Sequence, residues 1–227
     1  GTAEGGLARW DPVLGTFQRI PRRASAEDGL AGREVRVILE DRSGVLWIGT
    51  GDAGLSRYDR RRGVFEHLTG GAGAADLPGR RVRDVVEDSR GTVWVATDEG
   101  LSEWRAPARA FVSYGSRPGD PRTLPSNNAT ALLVDASGVL WVGTWDGVSR
   151  WNFLSDTFAY YDEADGHLPG DRITGVAEDP GGDLWIATYG DGLARLDPGT
   201  GASTFYDHDP EDATSLPEDR VMAVHVD

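Results

Sequence analysis

The chain has 227 residues, of which 39% are hydrophobic and 26% are charged, a composition that fits a substantial folded domain. Its formal net charge of −14 argues against a nucleic-acid partner, because phosphate binding needs a basic surface. The sequence has no cysteine, which excludes disulfides, zinc–thiolate sites and thiol nucleophiles. It also has no apolar run of about 18 residues, so no membrane span is predicted.

Four similar segments follow one another along the sequence, and each contains the pattern Asp-x-x-Gly-x-x-Trp. The motif tryptophans recur every 44 to 47 residues, a period typical of a repeat that folds as one supersecondary unit. The aspartates of the pattern are Asp41, Asp88, Asp135 and Asp179, and its tryptophans are Trp47, Trp94, Trp141 and Trp185. An inter-blade core position explains these tryptophans better than contact with a ligand, because every repeat carries one.

Each repeat predicts four strands joined by short turns. An apolar strand ends at the motif aspartate, where Asp and Gly favour a turn. A second strand, Leu-Trp-Ile-Gly-Thr or a variant, leads to a second turn such as Asp146-Gly147, which is a hairpin signal. A third strand and an Asp-rich turn follow, and the fourth strand is centred on a phenylalanine.

These elements predict an all-β propeller built of four-stranded antiparallel blades. In chain order, we expect a partial blade over 1–20, complete blades over 35–68, 82–114, 129–161 and 173–207, and a further partial blade over 221–227. The third position of the first strand is mostly small, as suits a strand near a central axis. We interpret residues 1–227 as one propeller domain, or as a segment of a larger propeller of about seven blades.

The pattern from Val35 to Asp59 resembles the two-component regulator propeller repeat, and most of the links between repeats end in Leu-Pro. Ala96 and Ala187 depart from it, since they stand where the other repeats have glycine. The resemblance implies a periplasmic or extracytoplasmic sensor of the hybrid histidine kinase type, which recognises an oligosaccharide or related ligand. It places the kinase and any membrane anchor in other parts of the parent protein, and it allows a homodimer there.

Candidate ligand-binding residues are those that break the repeat near the second turn. Trp145 and Tyr189 follow the motif threonine, and neither aromatic is required by the repeat. Polar residues precede each first strand, and acidic residues lie in the second turns: Arg81, Asn128, Arg172, Arg220, Asp146 and Asp191. Arginine forks and a flat aromatic ring together suit an acidic oligosaccharide. The alternative is that the arginines pair with the acidic turn residues.

The residues suggest no cofactor, metal or catalytic group. His67, His167, His208 and His225 occupy unrelated repeat positions, so no ligand cluster follows. Carboxylates could gather Ca²⁺, but Asp-Gly turns explain most of them. Two alternatives stay open: a propeller enzyme of lyase or glycosidase type, and a protein-interaction scaffold. The motif is also similar to the Asp-box of sialidases, with wider spacing, and to the repeats of streptogramin-cleaving lyases. We expect no enzymatic activity from this segment.

Overall fold

A computed structural model describes residues 1–22, 29–68, 76–117 and 119–227 of the chain. Every helix or strand in this described part is a β-strand. The strands are β1 (Ala8–Asp11), β2 (Thr16–Arg19), β3 (Val35–Glu40), β4 (Val45–Thr50), β5 (Leu55–Asp59), β6 (Val64–Leu68), β7 (Val82–Glu87), β8 (Val93–Thr97), β9 (Gly100–Arg105), β10 (Ala110–Tyr114), β11 (Ala129–Val134), β12 (Leu140–Thr144), β13 (Gly147–Asn152), β14 (Thr157–Tyr161), β15 (Ile173–Glu178), β16 (Leu184–Thr188), β17 (Leu193–Leu196) and β18 (Ser203–Tyr206).

The strands form sheets in which sequence neighbours pair with each other. The β1–β2 hairpin comes first, followed by the four-stranded sheets β3–β6, β7–β10, β11–β14 and β15–β18. These antiparallel sheets are the blades of an all-β propeller, so the predicted fold class is confirmed. The chain divides into two compact units, Gly1–Ser113 and Tyr114–Asp227. No described residue belongs to a helix of the length and hydrophobicity that a bilayer crossing requires.

The motif aspartate organises the first turn of each blade. Asp41 Oδ1 accepts hydrogen bonds from the amides of Ser43 (2.9 Å) and Val45 (3.0 Å), and Gly44 takes a φ of 82° that favours glycine. Asp41 Oδ2 accepts a hydrogen bond from Trp47 Nε1 at 2.8 Å. The same aspartate–indole bond joins the other three pairs at 3.1, 2.8 and 3.2 Å. The predicted turn is present, and the aspartate also satisfies the indole, which the sequence did not indicate.

These hydrogen bonds set the protonation of the motif carboxyls. Burial by itself raises the pKa of Asp41, but hydrogen bonds from Ser43, Trp47 and the turn amides outweigh it and lower the pKa below its usual value. The pKa of Asp135 is lowered in the same way, by Ser137, Trp141 and the turn amides against the effect of burial. At Asp88 burial again raises the pKa, and hydrogen bonds from the Arg90 side chain, Trp94 and the turn amides lower it below its usual value. The folded protein therefore favours the ionised form of these three carboxyl groups.

The motif tryptophan of one blade packs against the next blade within each unit. In the first unit, Trp47 is buried with Val85, Trp104 and Phe111, and its ring lies 5.8 Å from that of Trp104. In the second unit, Trp141 is fully buried in the cluster that contains Leu184, Ile186 and Leu196. For these two residues the predicted inter-blade core position is confirmed.

Trp185 differs from the other motif tryptophans because it is only half-buried. Its ring stacks on Tyr206 of its own blade at 5.4 Å, and the Arg195 guanidinium lies 5.6 Å above it. Residues 221–227, which we expected to begin another blade, form no strand. The Val221 amide donates instead to the Thr188 carbonyl (3.0 Å), and the Val221 carbonyl accepts from the Thr174 hydroxyl, so Val221 is bonded to the fourth blade.

Glycine at the motif position allows close contact with the following blade. A Cβ atom on Gly143 would lie 2.6 Å from Ile173 Cγ2, at the start of the first strand of that blade. The two alanines at this position differ in their partners on the first strand of their own blade: Ala187 lies opposite Gly175, whereas Ala96 lies opposite Asp84.

Candidate functional site

A buried threonine holds the second turn of each blade. The Thr144 hydroxyl donates to the Gly147 carbonyl (2.9 Å) and accepts from the Asp146 amide (3.1 Å). Thr144 is fully buried, and these bonds satisfy its hydroxyl inside the turn. Thr50, Thr97 and Thr188 make the same pair of bonds.

The two aromatic residues that break the repeat lie at the surface beside these turns. Trp145 is 42% exposed and Tyr189 is 44% exposed, although each directly follows a fully buried threonine. Trp141, the motif tryptophan of the Trp145 blade, is by contrast fully buried. The second turn therefore presents both rings to solvent.

In the second unit, the links before the inner strands are hydrogen bonded to the second turns of their own blade and of the preceding blade. The Trp145 amide donates to the Asn128 carbonyl (3.2 Å), within one blade, and the Gly147 amide donates to the Asp171 carbonyl (2.8 Å) of the next link. The Tyr189 amide donates to the Arg172 carbonyl at 2.8 Å. These bonds place the predicted link and turn residues of the second unit on one surface.

On this surface an arginine guanidinium lies over each of the two exposed aromatic rings. The Arg172 guanidinium lies 5.5 Å from the centre of the Trp145 ring, and the Arg220 guanidinium lies 5.7 Å from the centre of the Tyr189 ring. Each arginine comes from the segment that follows the fourth strand of the blade that contains its aromatic partner. At exposed sites such cation–π contacts contribute about 0.5–1 kcal/mol. We call Trp145, Arg172, Tyr189 and Arg220 the aromatic–arginine surface.

Charged groups surround this surface. A hydrogen bond with Tyr189 and the nearby charge of Glu218 raise the pKa of Arg220, whose Nε lies 3.3 Å from the Glu218 carboxylate. Asp146 and Asp191 are exposed in the same two turns as the aromatic rings. The surface therefore offers guanidinium donors and carboxylate acceptors next to two flat rings.

The predicted alternative, in which the site arginines pair with acidic turn residues, is not what the described part of the chain shows. There, no ion pair joins Arg81, Arg172 or Arg220 to an acidic residue of the second turns. In the first unit the turn carboxylates bind link amides instead: Asp98 accepts from the Arg81 amide (3.3 Å), and Asp52 accepts from the Arg33 amide (3.0 Å). The turn carboxylates of the first unit therefore bind the link backbone and not the arginine side chains.

The first unit has a polar pocket on its own link and turn residues. The pocket has a volume of about 620 Å³ and is lined mainly by Asp52, Arg80, Arg81, Asp98 and Glu99. Arg81 is exposed there. This pocket contains no aromatic residue, so it differs in chemistry from the aromatic–arginine surface of the second unit.

Sequence reasoning missed a bulge at the second residue of each inner strand. The register of the β7–β8 ladder shifts at Arg83, between Val82 and Asp84, and the equivalent shift in the preceding blade falls at Arg36. Burial and the charges of Arg36 and Arg81 lower the pKa of Arg83, while Asp98 acts in the opposite direction. The period-2 pattern of the strand hides such bulges, which are common near binding sites.

The histidines occupy separate surroundings. His67 Nδ1 lies 3.1 Å from Ser56 Oγ, His208 Nδ1 lies 2.6 Å from the Leu216 carbonyl, and His225 is exposed near Asp227. Over residues 1–22, 29–68, 76–117 and 119–227, no three His, Cys, Asp or Glu side chains are grouped so that they could hold a metal ion.

A family profile matches the repeats that build this surface. The profile described as the two component regulator propeller matches residues 29–52, 76–99, 123–146 and 167–190. The chain belongs to the two-component regulator propeller family. In this propeller each match runs from the link through the motif turn to the second turn. Together the matches include Arg81, Asn128, Trp145, Arg172 and Tyr189.

Solved structures resemble this two-component regulator propeller at low sequence identity. The extracellular domain of the hybrid two component system BT3049 from B. thetaiotaomicron has a TM-score of 0.76 at 21% identity, over 97% of this chain and 28% of that one. The propeller thus spans about 28% of that domain. The computationally designed Ika8 protein has a TM-score of 0.65 at 15% identity, over 100% and 61% of the two chains.

A third similar structure is virginiamycin B lyase from Staphylococcus aureus, with a TM-score of 0.60 at 14% identity, over 87% of this chain and 62% of that one. At such identities the likeness establishes the fold of the two-component regulator propeller and leaves its ligand open. A comparison with curated protein sequences gave no match.

Proposed function

We propose that this propeller is the ligand-sensing part of a two-component signalling protein and that it lies outside the cytoplasm. Its family supports this role, and the similar BT3049 structure is described as an extracellular domain of a hybrid two component system. In this proposal the chain binds a ligand without converting it, and the kinase activity belongs to another part of the parent protein.

The proposed ligand is an oligosaccharide that carries acidic groups. The observation that supports it is the aromatic–arginine surface, where the same pair of groups occurs in two successive blades. A flat ring such as that of Trp145 can cover the apolar face of a sugar, and a guanidinium such as that of Arg172 can bind a carboxylate with two hydrogen bonds. The two pairs would contact successive sugar units.

Isothermal titration calorimetry of the purified chain tests this proposal. The probes are matched neutral and uronic-acid oligosaccharides of equal length, and we expect saturable binding that prefers the acidic member. Trp145→Ala and Arg172→Ala should each weaken binding about tenfold, since one aromatic stacking contact or one charge-assisted hydrogen bond contributes about 1.5 kcal/mol. Phe153→Ala, which removes an aromatic residue that is 59% exposed in the third turn, is the matched control and should change nothing.

Three results would contradict the proposal. One is binding that Trp145→Ala, Arg172→Ala and Phe153→Ala all leave unchanged, because the ligand would then lie elsewhere. Another is cleavage of a probe during incubation, detected by mass spectrometry, which would favour the lyase or glycosidase alternative. A chain that binds no sugar and captures a protein partner would favour the scaffold alternative.

A further inference from the structure

The polar pocket of the first unit lies between two complete blades. Its volume of about 620 Å³ is within the range of small-molecule sites. Gly51 and Asp52 come from the second turn of the β3–β6 blade, and Asp98 and Glu99 come from the second turn of the β7–β10 blade. The link residues Arg80 and Arg81 line the pocket as well.

Backbone hydrogen bonds hold the link against both turns. The Gly54 amide of the preceding blade donates to the Arg80 carbonyl at 2.8 Å, and the Asp98 amide donates to the Arg81 carbonyl at 3.3 Å. The Asp98 carboxylate in turn accepts a hydrogen bond from the Arg81 amide at 3.3 Å. The relative positions of the two turns and the link are therefore fixed by bonds between complete repeats.

The pocket lies where the second unit has an aromatic ring. Gly51 directly follows the motif threonine of its blade, as Trp145 does in the third complete blade. In the second unit the Arg172 guanidinium lies over the Trp145 ring, and Arg81 is the equivalent arginine of the first unit. No aromatic residue lines the pocket of the first unit. The glycine therefore leaves space next to the link arginines that a side chain fills in the other unit.

Several guanidinium groups lie close together at this pocket. A Cβ atom on Gly51 would lie 2.6 Å from Arg36 Nε, so the Arg36 side chain packs over the glycine. Burial and the charges of Arg36 and Arg81 lower the pKa of Arg83, and Asp98 acts in the opposite direction. Like charges at such short range destabilise one another, so a bound anionic group would be favoured here.

Opposite charges also line the pocket without pairing with each other. In the part of the chain that the structure describes, the exposed side chains of Arg80, Arg81 and Glu99 take part in no ion pair. Asp52 and Asp98 accept hydrogen bonds from link amides instead. The lining has two arginines and three carboxylates, so neither sign of charge dominates it. Such a pocket can bind a cationic and an anionic group of one ligand at the same time.

We propose that this pocket binds a small zwitterion, a molecule that carries both a carboxylate and an ammonium group, as α-amino acids and short peptides do. Arg80 and Arg81 bind the carboxylate through charge-assisted hydrogen bonds. The Glu99 carboxylate accepts hydrogen bonds from the ammonium group. The site uses no residue of the aromatic–arginine surface, so it is independent of the proposed sugar ligand.

Isothermal titration calorimetry of the intact chain with triglycine tests this proposal. N-acetyl-triglycine lacks the ammonium group, and triglycine amide lacks the carboxylate. We expect saturable binding of triglycine and at least about tenfold weaker binding of each blocked form, because each loses one charge-assisted contact. Equal binding of the three peptides, or no binding of triglycine and glycine, would overturn the proposal.

The same titration with glycine separates an amino acid from a peptide as the source of the zwitterion. A ligand that must reach from the link arginines to Glu99 should bind more tightly as triglycine than as glycine. Tighter binding of glycine supports the zwitterion site and identifies a free amino acid as its ligand.

Two variants that neutralise exposed charges assign the contacts. Arg81→Gln should weaken triglycine binding about tenfold and leave the binding of triglycine amide unchanged, because the amide has no carboxylate for Arg81 to bind. Glu99→Gln should weaken triglycine binding about tenfold and leave the binding of N-acetyl-triglycine unchanged. The matched controls Arg62→Gln and Glu211→Gln alter exposed residues outside the pocket and should change nothing. Triglycine binding that neither pocket variant weakens contradicts the assignment.

A third variant fills the pocket with a residue that the fold already carries at this position. Gly51→Trp reproduces Trp145 of the second unit, and its side chain displaces the exposed ends of Glu34 and Arg36. Triglycine binding should be lost, while circular dichroism shows that the chain is folded. A folded variant that binds triglycine as before would contradict the proposal. The two glutamine variants decide the question if this variant does not fold, because Arg81 and Glu99 are exposed.

Discussion

Replacing Asp135 by alanine should destabilise the second unit by about 2–4 kcal/mol. The Asp135 carboxylate accepts hydrogen bonds from the amides of Ser137 and Val139, from the Ser137 hydroxyl and from Trp141 Nε1. The Ser137 groups are exposed and can bond to water after the change, so their loss contributes little. Trp141 is fully buried, and its indole N–H would be left without an acceptor, which costs about 1–3 kcal/mol. The partly buried Val139 amide adds about 1 kcal/mol.

Chemical denaturation followed by circular dichroism measures this loss, and a double-mutant cycle with Trp141→Phe isolates the indole bond. Phenylalanine keeps most of the ring and removes the N–H, so both single variants lose the same bond. The double variant should recover about 1–2 kcal/mol relative to the sum of the two single losses. A coupling energy near zero would refute the reasoning, because the buried indole would then find another partner.

The fourth blade offers a matched control. Asp179 bonds Trp185 Nε1 in the same way (3.2 Å), but Trp185 is half-buried and water can reach its indole after the change. Asp179 also pairs with Arg195, which keeps a second partner in Asp183 at 2.8 Å. Asp179→Ala should therefore cost at least about 1 kcal/mol less than Asp135→Ala. Equal losses would show that burial of the indole does not determine the effect.

Three further predictions concern acid stability and packing. The folded-state pKa of Asp135 is lowered, so the stability that its carboxylate contributes is present above the unfolded pKa of about 3.9 and is lost as the pH falls toward the folded value. Asp135→Asn should therefore flatten the decline in unfolding free energy between about pH 5 and pH 3. Gly143→Ala should cost about 1–3 kcal/mol in denaturation experiments, since its Cβ meets the buried Ile173; a neutral result would contradict the contact. Thr144→Val should cost about 1–3 kcal/mol, whereas Thr157→Val, whose hydroxyl pairs with Ser155 at an exposed turn, should stay within about 0.5 kcal/mol.

The candidate site contains aromatic residues and arginines, and the sequence predicted the positions of both but not their pairing. Trp145 and Tyr189 could be found in the sequence because they interrupt a regular repeat, and they lie at the surface as that interruption indicated. Their arginine partners come from links 27 and 31 residues further along the chain. The pairing of Arg172 with Trp145 depends on how the link of one blade meets the turn of the blade before it. A list of candidate residues could name both groups but could not pair them.

The sequence by itself determined the repeat, the blade architecture and the chemistry of the turns. These features depend on local rules: alternation along strands, the backbone freedom of glycine and the hydrogen bonding of aspartate to nearby amides. Four copies of the same pattern made these local signals consistent with one another. The predicted blade limits accordingly agree with the strands to within a residue for the four complete blades.

Only the tertiary structure decided which repeated residues are equivalent in their surroundings. Trp141 and Trp185 share one motif position, yet Trp141 is fully buried among Leu184, Ile186 and Leu196, whereas Trp185 is half-buried and stacks on Tyr206 of its own blade. Arg83 is displaced from its ladder by a bulge that the strand pattern did not indicate. Sequence identity between repeats sets the shape of each blade, whereas packing between blades sets the exposure of its side chains.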